Sequence, residues 1–416
     1  MEVLYVYCAG LDVHKKTVVA CRLSVNAAGQ KVKVIETFGT TTSELLRLSD
    51  WLTAGHCTHV AMESTGEFWK PVWNILEGSF ELWLVNAHHV KRVPGRKTDV
   101  QDAEWLAELL QHGLITASFI PPVEQRDRRD LTRQRTQLVR ERAGVVNRLQ
   151  KVLEGANLKL SAVLSNVAGL SGRAILDALV QEHLDPTNLG DLVHGRVRDK
   201  LPALEQALTG RVRPHHRFLL RHHLAQIDFL DEQIAAYSAE IERLTQPCED
   251  LVALLDTIPG VARTTAELIL AEVGADLSRF PSAAHLASWA GLSPGNNESA
   301  GKRLSGKTRK GSQWLRTGLT QAAHAAARQK DTYLAALYHR LTARRGKKRA
   351  TLAVAHAMLV IAYHVIQRKE PYRELGGNYF DERRRTGVVN RLTRRLAKLG
   401  YTVTLLAPPS EAAATA

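Results

Sequence analysis

Four acidic residues in the first quarter of the chain have a spacing that could hold divalent cations. Two of them end apolar runs that read as β-strands, and the other two lie three residues apart in a helical pattern, where they share one face near its N-terminus. Carboxylates that converge repel each other unless cations are bound. Two hard cations about 3.5–4 Å apart can stabilise both the attacking and the leaving oxygen of a phosphoryl transfer. We therefore expect a Mg²⁺ site, and its ligands would be Asp12, Glu63, Asp99 and Asp102.

The elements around these acids follow an order typical of the ribonuclease H fold. Three β-rich runs come first, and a helix, a strand, a helix, a strand and a helix follow. The first and fourth strands are neighbours in that fold, so Asp12 and Glu63 would emerge at one edge of the sheet. Alternatively, Asp99 and Asp102 are ordinary acids stabilised by the helix dipole, and Glu63 belongs to a turn. The predicted strands are LYVYCAGLD, TVVACRLSV, KVKVIETF, THVAMES and FELWLVNA, and Thr98 is the candidate N-cap of the last helix.

Composition favours a polyanion as partner. The chain has 416 residues, 44% of them hydrophobic, and a formal net charge of +14, which predicts two or three domains and binding to nucleic acid or to a membrane surface. A membrane is the poorer choice, because the N-terminus does not read as a signal peptide. The longest apolar run, 351–366, is short for a bilayer span and contains His356 and His364. We expect it to be a core helix.

Cysteine and histidine usage gives no sign of a second metal site. The four cysteines have no C-x-x-C spacing, which favours reduced, buried thiols and a cytoplasmic location. Seventeen histidines include several adjacent pairs, but neighbours on a helix point in different directions and do not share a ligand position.

The middle of the chain predicts two long helices. Residues 124–155 are strongly basic, with apolar residues every seven positions, and residues 218–244 repeat Leu and Ile at heptad spacing. This is a coiled-coil pattern, and it is compatible both with packing inside one chain and with self-association. Residues 156–215 read as helices with Gly and Pro breaks.

A tight turn at 258–261, IPGV, joins two helical patterns and resembles a helix-hairpin-helix. In such a turn the backbone amides beside Gly260 would meet a phosphate. The alternative is a plain connection between two helices.

A polar, glycine-rich segment, 293–312, follows and should lie on the surface. Ser299 has small neighbours and nearby cations, so its hydroxyl could attack a phosphodiester. The alternative is a simple nucleic-acid-binding loop, and Ser305 is a rival nucleophile. The cations expected to contact phosphates are Lys302, Arg303, Lys307, Arg309 and Lys310.

These observations predict an α/β fold joined to an all-α part. We expect four segments: a metal-binding domain of the ribonuclease H type, a helical coiled-coil region, a mainly helical domain with the hairpin turn and the serine loop, and a basic helix with a disordered tail. Their expected bounds are 1–123, 124–249, 250–370 and 371–416.

The residues of these motifs and their order along the chain resemble those of the DEDD-type transposases of insertion-sequence family one-ten. That family is related to Piv-type DNA invertases. K-T-D-x-x-D-A and S-A-G-K together carry the resemblance. The other matching tracts are GLDVHKKTVVAC, VAMESTG, LLDTIPGV and the remainder of the glycine-rich segment. The longer middle, 156–215, and the basic extension beyond Glu374 depart from the family pattern.

The resemblance implies a RuvC-like N-terminal domain with the four acids and a C-terminal transposase domain with Ser299 as nucleophile. It implies double-stranded DNA as substrate, a serine–DNA link, a bridge RNA that guides target choice, and dimers that pair into tetramers. The two domains would have to dock, because acids and serine are far apart in sequence. Two other interpretations are a RuvC-like nuclease that uses water and a non-catalytic nucleic-acid-binding protein.

Overall fold

The computed structural model describes residues 2–26, 28–63, 66–85, 99–295, 297–308 and 310–406. The chain divides into two compact units, Met1–Pro121 and Pro122–Ala416. The tail that we predict to be disordered, 407–416, lies outside the described residues, as does Thr98. The four-segment division stays a prediction.

The first unit is a five-stranded mixed sheet with helices on both faces. The strand order is β3-β2-β1-β4-β5; β1 pairs antiparallel with β2 and parallel with β4, β2 pairs antiparallel with β3 and β4 parallel with β5. The element order is the predicted one. In chain order the elements are β1 (Cys8–Val13), β2 (Thr17–Val25), β3 (Lys31–Gly39), α1 (Thr42–Ala54), β4 (His59–Glu63), α2 (Trp69–Leu76), β5 (Glu81–Val85) and α3 (Asp99–Gln111).

Strand β1 is shorter at its start than its apolar run predicts. The backbone N–H groups of Leu4 and Tyr5 donate to the carbonyl of Gln111, at the end of α3, and do not join the sheet. Leu4 is therefore exposed. At its other end the strand includes Val13, so Asp12 is its penultimate residue.

The two faces of the sheet have separate cores, and β1 contributes to both because its side chains alternate. Ala9 and Leu11 pack with the core under α1 and α2, whereas Cys8 packs with Ala103 and Ala107 of α3. Between them, a Cβ on Gly10 would lie 2.3 Å from the carbonyl oxygen of Ala103 and 2.5 Å from the amide nitrogen of Ala107. The helix backbone therefore touches the strand, and glycine is required there.

The second unit is mainly helical. Its helices are α4 (Val123–Gly155), α5 (Leu160–Val163), α6 (Leu170–Val180), α7 (Leu201–Leu208), α8 (Pro214–Thr245), α9 (Glu249–Asp256), α10 (Arg263–Val273), α11 (Ala283–Trp289), α12 (Gln313–Ala326), α13 (Tyr333–Arg345), α14 (Lys347–Arg368), α15 (Tyr379–Glu382) and α16 (Arg385–Lys398). Two short strands, β6 (Asn297–Ser299) and β7 (Lys302–Ser305), form a separate antiparallel pair.

The two long helices α4 and α8 pack against each other within the chain. Heptad residues of α8, including Leu220, Ile227 and Leu230, are buried in one core with Val145 and Leu149 of α4. Helices α6 and α7, from the segment 156–215, complete this core. The heptad pattern is thus used inside the protomer, and its use in self-association stays a prediction.

Helix α14 lies in the other core of the second unit. By length and composition it could cross a membrane, but Val354, Met358 and Leu359 are fully buried among residues of α9 to α13. The apolar run 351–366 is therefore a core helix, as the sequence predicts.

The four cysteines are free thiols, and three of them, Cys8, Cys21 and Cys57, are buried. Burial raises the pKa of Cys8 to about 12 and that of Cys57 to about 11. Cys248 is partly exposed, so the prediction of buried thiols is wrong for this one residue.

Replacing Gly10 with alanine tests the contact between strand and helix. We expect Gly10→Ala to lower the free energy of unfolding of the first unit by about 1–3 kcal/mol, because the new Cβ meets backbone atoms that can move only with the whole helix. Urea denaturation followed by circular dichroism measures the effect.

Gly155→Ala is the matched control, since a Cβ there meets no atom within 4 Å and alanine favours a helix. It should be neutral or slightly stabilising. Equal stability of Gly10→Ala and the parent would show that α3 does not rest on β1 as described.

Candidate active site and nucleic-acid interface

Asp12 and Glu63 occupy equivalent positions on neighbouring strands. Strands β1 and β4 are parallel, with Leu11 opposite Met62 as the last pair, and the two acids are the next residue of each strand. Adjacent strands are about 4.8 Å apart. By the alternation of side chains both acids belong to the sheet face that α3 covers, because Ala61 and Cys8 lie in that core.

Helix α3 runs antiparallel to β1. Its Ala103 lies over Gly10, whereas its last residue, Gln111, accepts hydrogen bonds from Leu4 and Tyr5 at the start of the chain. The first turn of α3 therefore extends toward the end of β1 at which Asp12 lies. Asp102 is exposed in this first turn. Asp99 begins the helix, but its side chain lies outside the described part of the structure.

The side chain of Asp12 is largely buried, with 14% of its surface exposed. Its Oδ2 lies 3.0 Å from Nε2 of His14. The described side chains do not include that of Asp99. Among them, no three His, Cys, Asp or Glu lie close enough to hold a metal ion. The donors at this edge are carboxylate oxygens, which suit a hard divalent cation such as Mg²⁺. Asp12, Glu63 and Asp102 do not form such a group by themselves, so their role as metal ligands stays a prediction.

The segment around Ser299 is a β-hairpin and not the irregular loop that its composition suggests. Ser299 is the last residue of β6 and pairs with Lys302 across a two-residue turn. Both turn residues have positive φ, +49° at Ala300 and +72° at Gly301, as in the tight turns that join antiparallel strands. The sequence hides this turn because alanine rarely adopts a left-handed conformation. The side chain of Ser299 is not among those that the structure describes.

Two glycines hold the base of this hairpin. A Cβ on Gly295 would lie 2.3 Å from the carbonyl oxygen of Lys307, and one on Gly311 would lie 2.4 Å from the backbone of Ala290 and Gly291. The glycine-rich composition of the segment is therefore a packing requirement at these two positions.

The predicted phosphate contacts can be located in part. Lys302, Lys307 and Lys310 are exposed, whereas Arg309 and the side chain of Arg303 lie outside the described residues. The rival nucleophile, Ser305, is partly buried, and its hydroxyl accepts a hydrogen bond from the backbone N–H of Lys307 at 3.1 Å.

The predicted turn at 258–261 joins α9 to α10. Gly260 has φ +83°, and a Cβ there would lie 2.5 Å from the carbonyl oxygen of Ala322 and 2.6 Å from the amide of Ala326, both in α12. Packing against α12 is sufficient to explain the glycine. Phosphate binding by this turn stays a prediction.

Sequence reasoning missed a cluster next to the hairpin. Glu272, at the end of α10, has 1% of its side chain exposed and is bound by Arg133 of α4. The hydroxyl of Ser312 donates to Glu272 Oε2 at 3.0 Å and accepts from the N–H of Leu315, so it also caps α12. The signal in the sequence is Ser312 directly before the tract Q-W-L-R, because serine is a preferred N-cap residue of helices.

Comparisons with known proteins agree with the sequence motifs. Residues 9–158 match the DEDD transposase model of family IS110, and residues 252–339 match the model of the transposase IS116/IS110/IS902 family. Together the two matches cover more than half of the chain.

Curated relatives match over most of their length. The chain is 26% identical over 299 residues to the transposase for insertion sequence element IS1111A of Coxiella burnetii, covering 70% of this chain and 72% of that protein. It is 24% identical over 384 residues to the pilin gene-inverting protein of Moraxella bovis, covering 87% of this chain and 96% of that protein. A solved structure of Thermus thermophilus RuvC aligns with 27% of this chain and 99% of its own, at 14% identity and a TM-score of 0.21.

The two matched domains occur in the same order as the motifs around the acids and around Ser299. The chain therefore belongs to the IS110 family of insertion-sequence transposases, recombinases that cleave and exchange DNA strands.

Proposed function

We propose that this transposase cuts and rejoins DNA through a covalent bond between Ser299 and a DNA phosphate. Asp12, Glu63, Asp99 and Asp102 would hold Mg²⁺ ions for this reaction. The observation that supports the role of the acids is the register between β1 and β4 together with the antiparallel course of α3. These features bring the strand positions of two acids and the first helical turn of the other two to one edge of the sheet.

The chemistry follows from the groups involved. The Ser299 hydroxyl would attack the phosphorus, form a serine–phosphate ester and release a deoxyribose hydroxyl, with the serine proton passing to the leaving oxygen through solvent or a nearby base. The ester keeps the bond count of the phosphodiester, so a hydroxyl of a second strand can reverse the step without a nucleotide cofactor. Bound Mg²⁺ would supply charge stabilisation at the phosphate. The exposed Lys302 and Lys307 would contact the DNA backbone.

The partners in this proposal are double-stranded DNA, a bridge RNA and further copies of the chain, in the cytoplasm. Support for an RNA partner is the charge of α16, whose Arg391, Arg394, Arg395 and Lys398 are all exposed. Such a surface binds a folded RNA through its backbone and leaves target choice to base pairing. Dimers that pair into tetramers would bring acids and serines together on two DNA duplexes.

The nucleophile is tested with a suicide DNA substrate that carries a nick near the element end. With Mg²⁺ we expect the parent protein to form a covalent protein–DNA adduct that survives denaturation and migrates slowly in a gel. Ser299→Ala should reduce this adduct by at least about a thousandfold, because no other group replaces the attacking oxygen.

Ser305→Ala is the control for this experiment, and it should keep most of the adduct. The reverse result would make Ser305 the nucleophile. Strand cleavage that persists in Ser299→Ala without any adduct would identify water as the nucleophile, and the proposed serine link would be wrong.

The role of the acids is tested with Asp12→Asn, which keeps the shape of the side chain and removes its charge. We expect adduct formation to fall roughly a hundredfold with little change in DNA affinity, and the loss should be smaller at high Mn²⁺ concentration. Asp50→Asn is the matched control, since Asp50 is an exposed acid on α1 of the same unit. Equal activity of both variants would contradict a metal-binding role for Asp12.

The RNA partner is tested by purifying the protein from cells that carry the gene with its flanking DNA. We expect a discrete RNA to copurify, and we expect deletion of 385–398 to reduce its amount several-fold because five cations are removed. Deletion of 407–416 is the control. A protein freed of RNA by nuclease that still forms the adduct at the full rate would show that no guide is needed.

A further inference from the structure

An open cleft of about 730 Å³ lies in the second unit beside the base of the serine hairpin. Its volume is within the range of sites that enclose small organic ligands. The lining comes from α4, from the ends of α10 and α11, from the residues just before α12 and from the first turn of α12. The residues that matter for its chemistry are Arg133, Glu272, Trp289, Lys310, Trp314 and Arg316.

One wall of the cleft is a fixed ion pair. Arg133 donates two hydrogen bonds to Glu272, from Nε at 2.7 Å and from Nη2 at 3.0 Å, and Ser312 satisfies the carboxylate further at 3.0 Å. Glu272 is the single acid among the described lining residues. Its charge is matched by Arg133, so Lys310 and Arg316 give the cleft a net positive charge.

Aromatic surface lies among these cations. Trp314 is half-buried, and the guanidinium groups of Arg140 and Arg133 lie 5.1 Å and 6.0 Å from the centre of its ring. Trp289 contributes a second indole, which packs on Phe280 at 5.4 Å. Cations that follow a backbone and aromatic rings that stack on bases are the two components of a single-strand binding site.

The cleft is adjacent in the chain to the hairpin. Lys310 and Ser312 follow β7 within seven residues, and Gly311 between them packs directly on Ala290 and Gly291. A strand that lies in the cleft is therefore held by the same short segment that fixes the base of the hairpin. Because the cleft is next to the hairpin of Ser299, the ligand that we assign to it is the strand under attack.

We propose that this cleft binds the DNA strand beside the phosphate that Ser299 attacks, an inference that rests on the proposed function. Lys310 and Arg316 contact a backbone phosphate, and Trp314 stacks on an unpaired base. Glu272 accepts hydrogen bonds from Arg133 and from Ser312, the N-cap residue of α12.

The test uses the full chain with Ser299→Ala, so that binding is measured without cleavage. The probe is a fluorescein-labelled oligothymidylate of about eight nucleotides, followed by anisotropy at several salt concentrations. We expect Trp314→Ala to weaken binding about tenfold and Trp314→Phe to weaken it less than threefold. Arg316→Gln should weaken it several-fold and lower the slope of log affinity against log salt by about 0.7.

Arg328→Gln is the matched control, because it removes one exposed cation just after the other end of α12. It should change affinity less than twofold. Equal losses in Arg316→Gln and Arg328→Gln would show a general charge effect and overturn the proposal. So would losses that occur with an oligouridylate of the same length and not with the DNA probe.

The result is separable from that of the serine test. A parent protein that forms no covalent adduct contradicts the proposed function, yet it leaves the binding differences measurable in the Ser299→Ala background. Normal adduct formation with no selective effect of Trp314→Ala or Arg316→Gln on binding would instead overturn the cleft alone. Thermal unfolding of each variant verifies that it is folded.

Discussion

The backbone contact between β1 and α3 at Gly10 determines where the acids of the first unit lie. The carbonyl of Ala103 and the amide of Ala107 occupy the space that a side chain would need, so helix and strand are closer than side-chain packing allows. The carbonyl of Gln111 accepts hydrogen bonds from the backbone at the start of the chain. The direction of the helix and its position along the sheet are therefore fixed. Its first turn can then meet the ends of β1 and β4. This contact and the register of two parallel strands place the backbone positions of Asp12 and Glu63 and the first turn of α3 at one edge of the sheet.

In the second unit, the segment around Ser299 is likewise positioned by direct backbone contacts at glycine residues. The segment 293–312 has almost no apolar side chains with which to form a core, and its strands contain only three and four residues. Gly295 and Gly311 let its backbone lie directly against its neighbours, and the Ser312–Glu272 hydrogen bond fixes the start of the next helix. The described glycine contacts lie at the base of the hairpin, and its turn residues, Lys302 and Lys307 are exposed, so they are accessible to a large substrate such as DNA.

The order of strands and helices in the first unit was predictable because each run has a clear period, with an acid at the end of β4 and one residue before the end of β1. The hairpin was not predictable, since its turn uses Ala300 in a conformation that alanine seldom adopts. The heptad repeat of α8 was evident from the sequence. The same repeat is used for packing within a chain and between chains, so the sequence could not distinguish these two kinds of packing. The cleft was invisible because Arg133 and Glu272 are 139 residues apart, and no local pattern connects them.

Not all of the basic residues that give the net charge of +14 can bind nucleic acid. In α4, which is rich in arginine, Arg135 is buried against Glu267 at 2.8 Å, and Arg129 donates to the carbonyl of Ala271 while burial lowers its pKa to about 10. These arginines join α4 to α10 and cannot contact a polyanion without breaking buried hydrogen bonds, which costs several kcal/mol for a charged pair. Part of the basic character of the middle segment is therefore structural. Exposed cations that can contact nucleic acid include Lys302 and Lys307 of the hairpin, Lys310 of the cleft and those of α16, and the three lysines follow Ser299 closely in the chain.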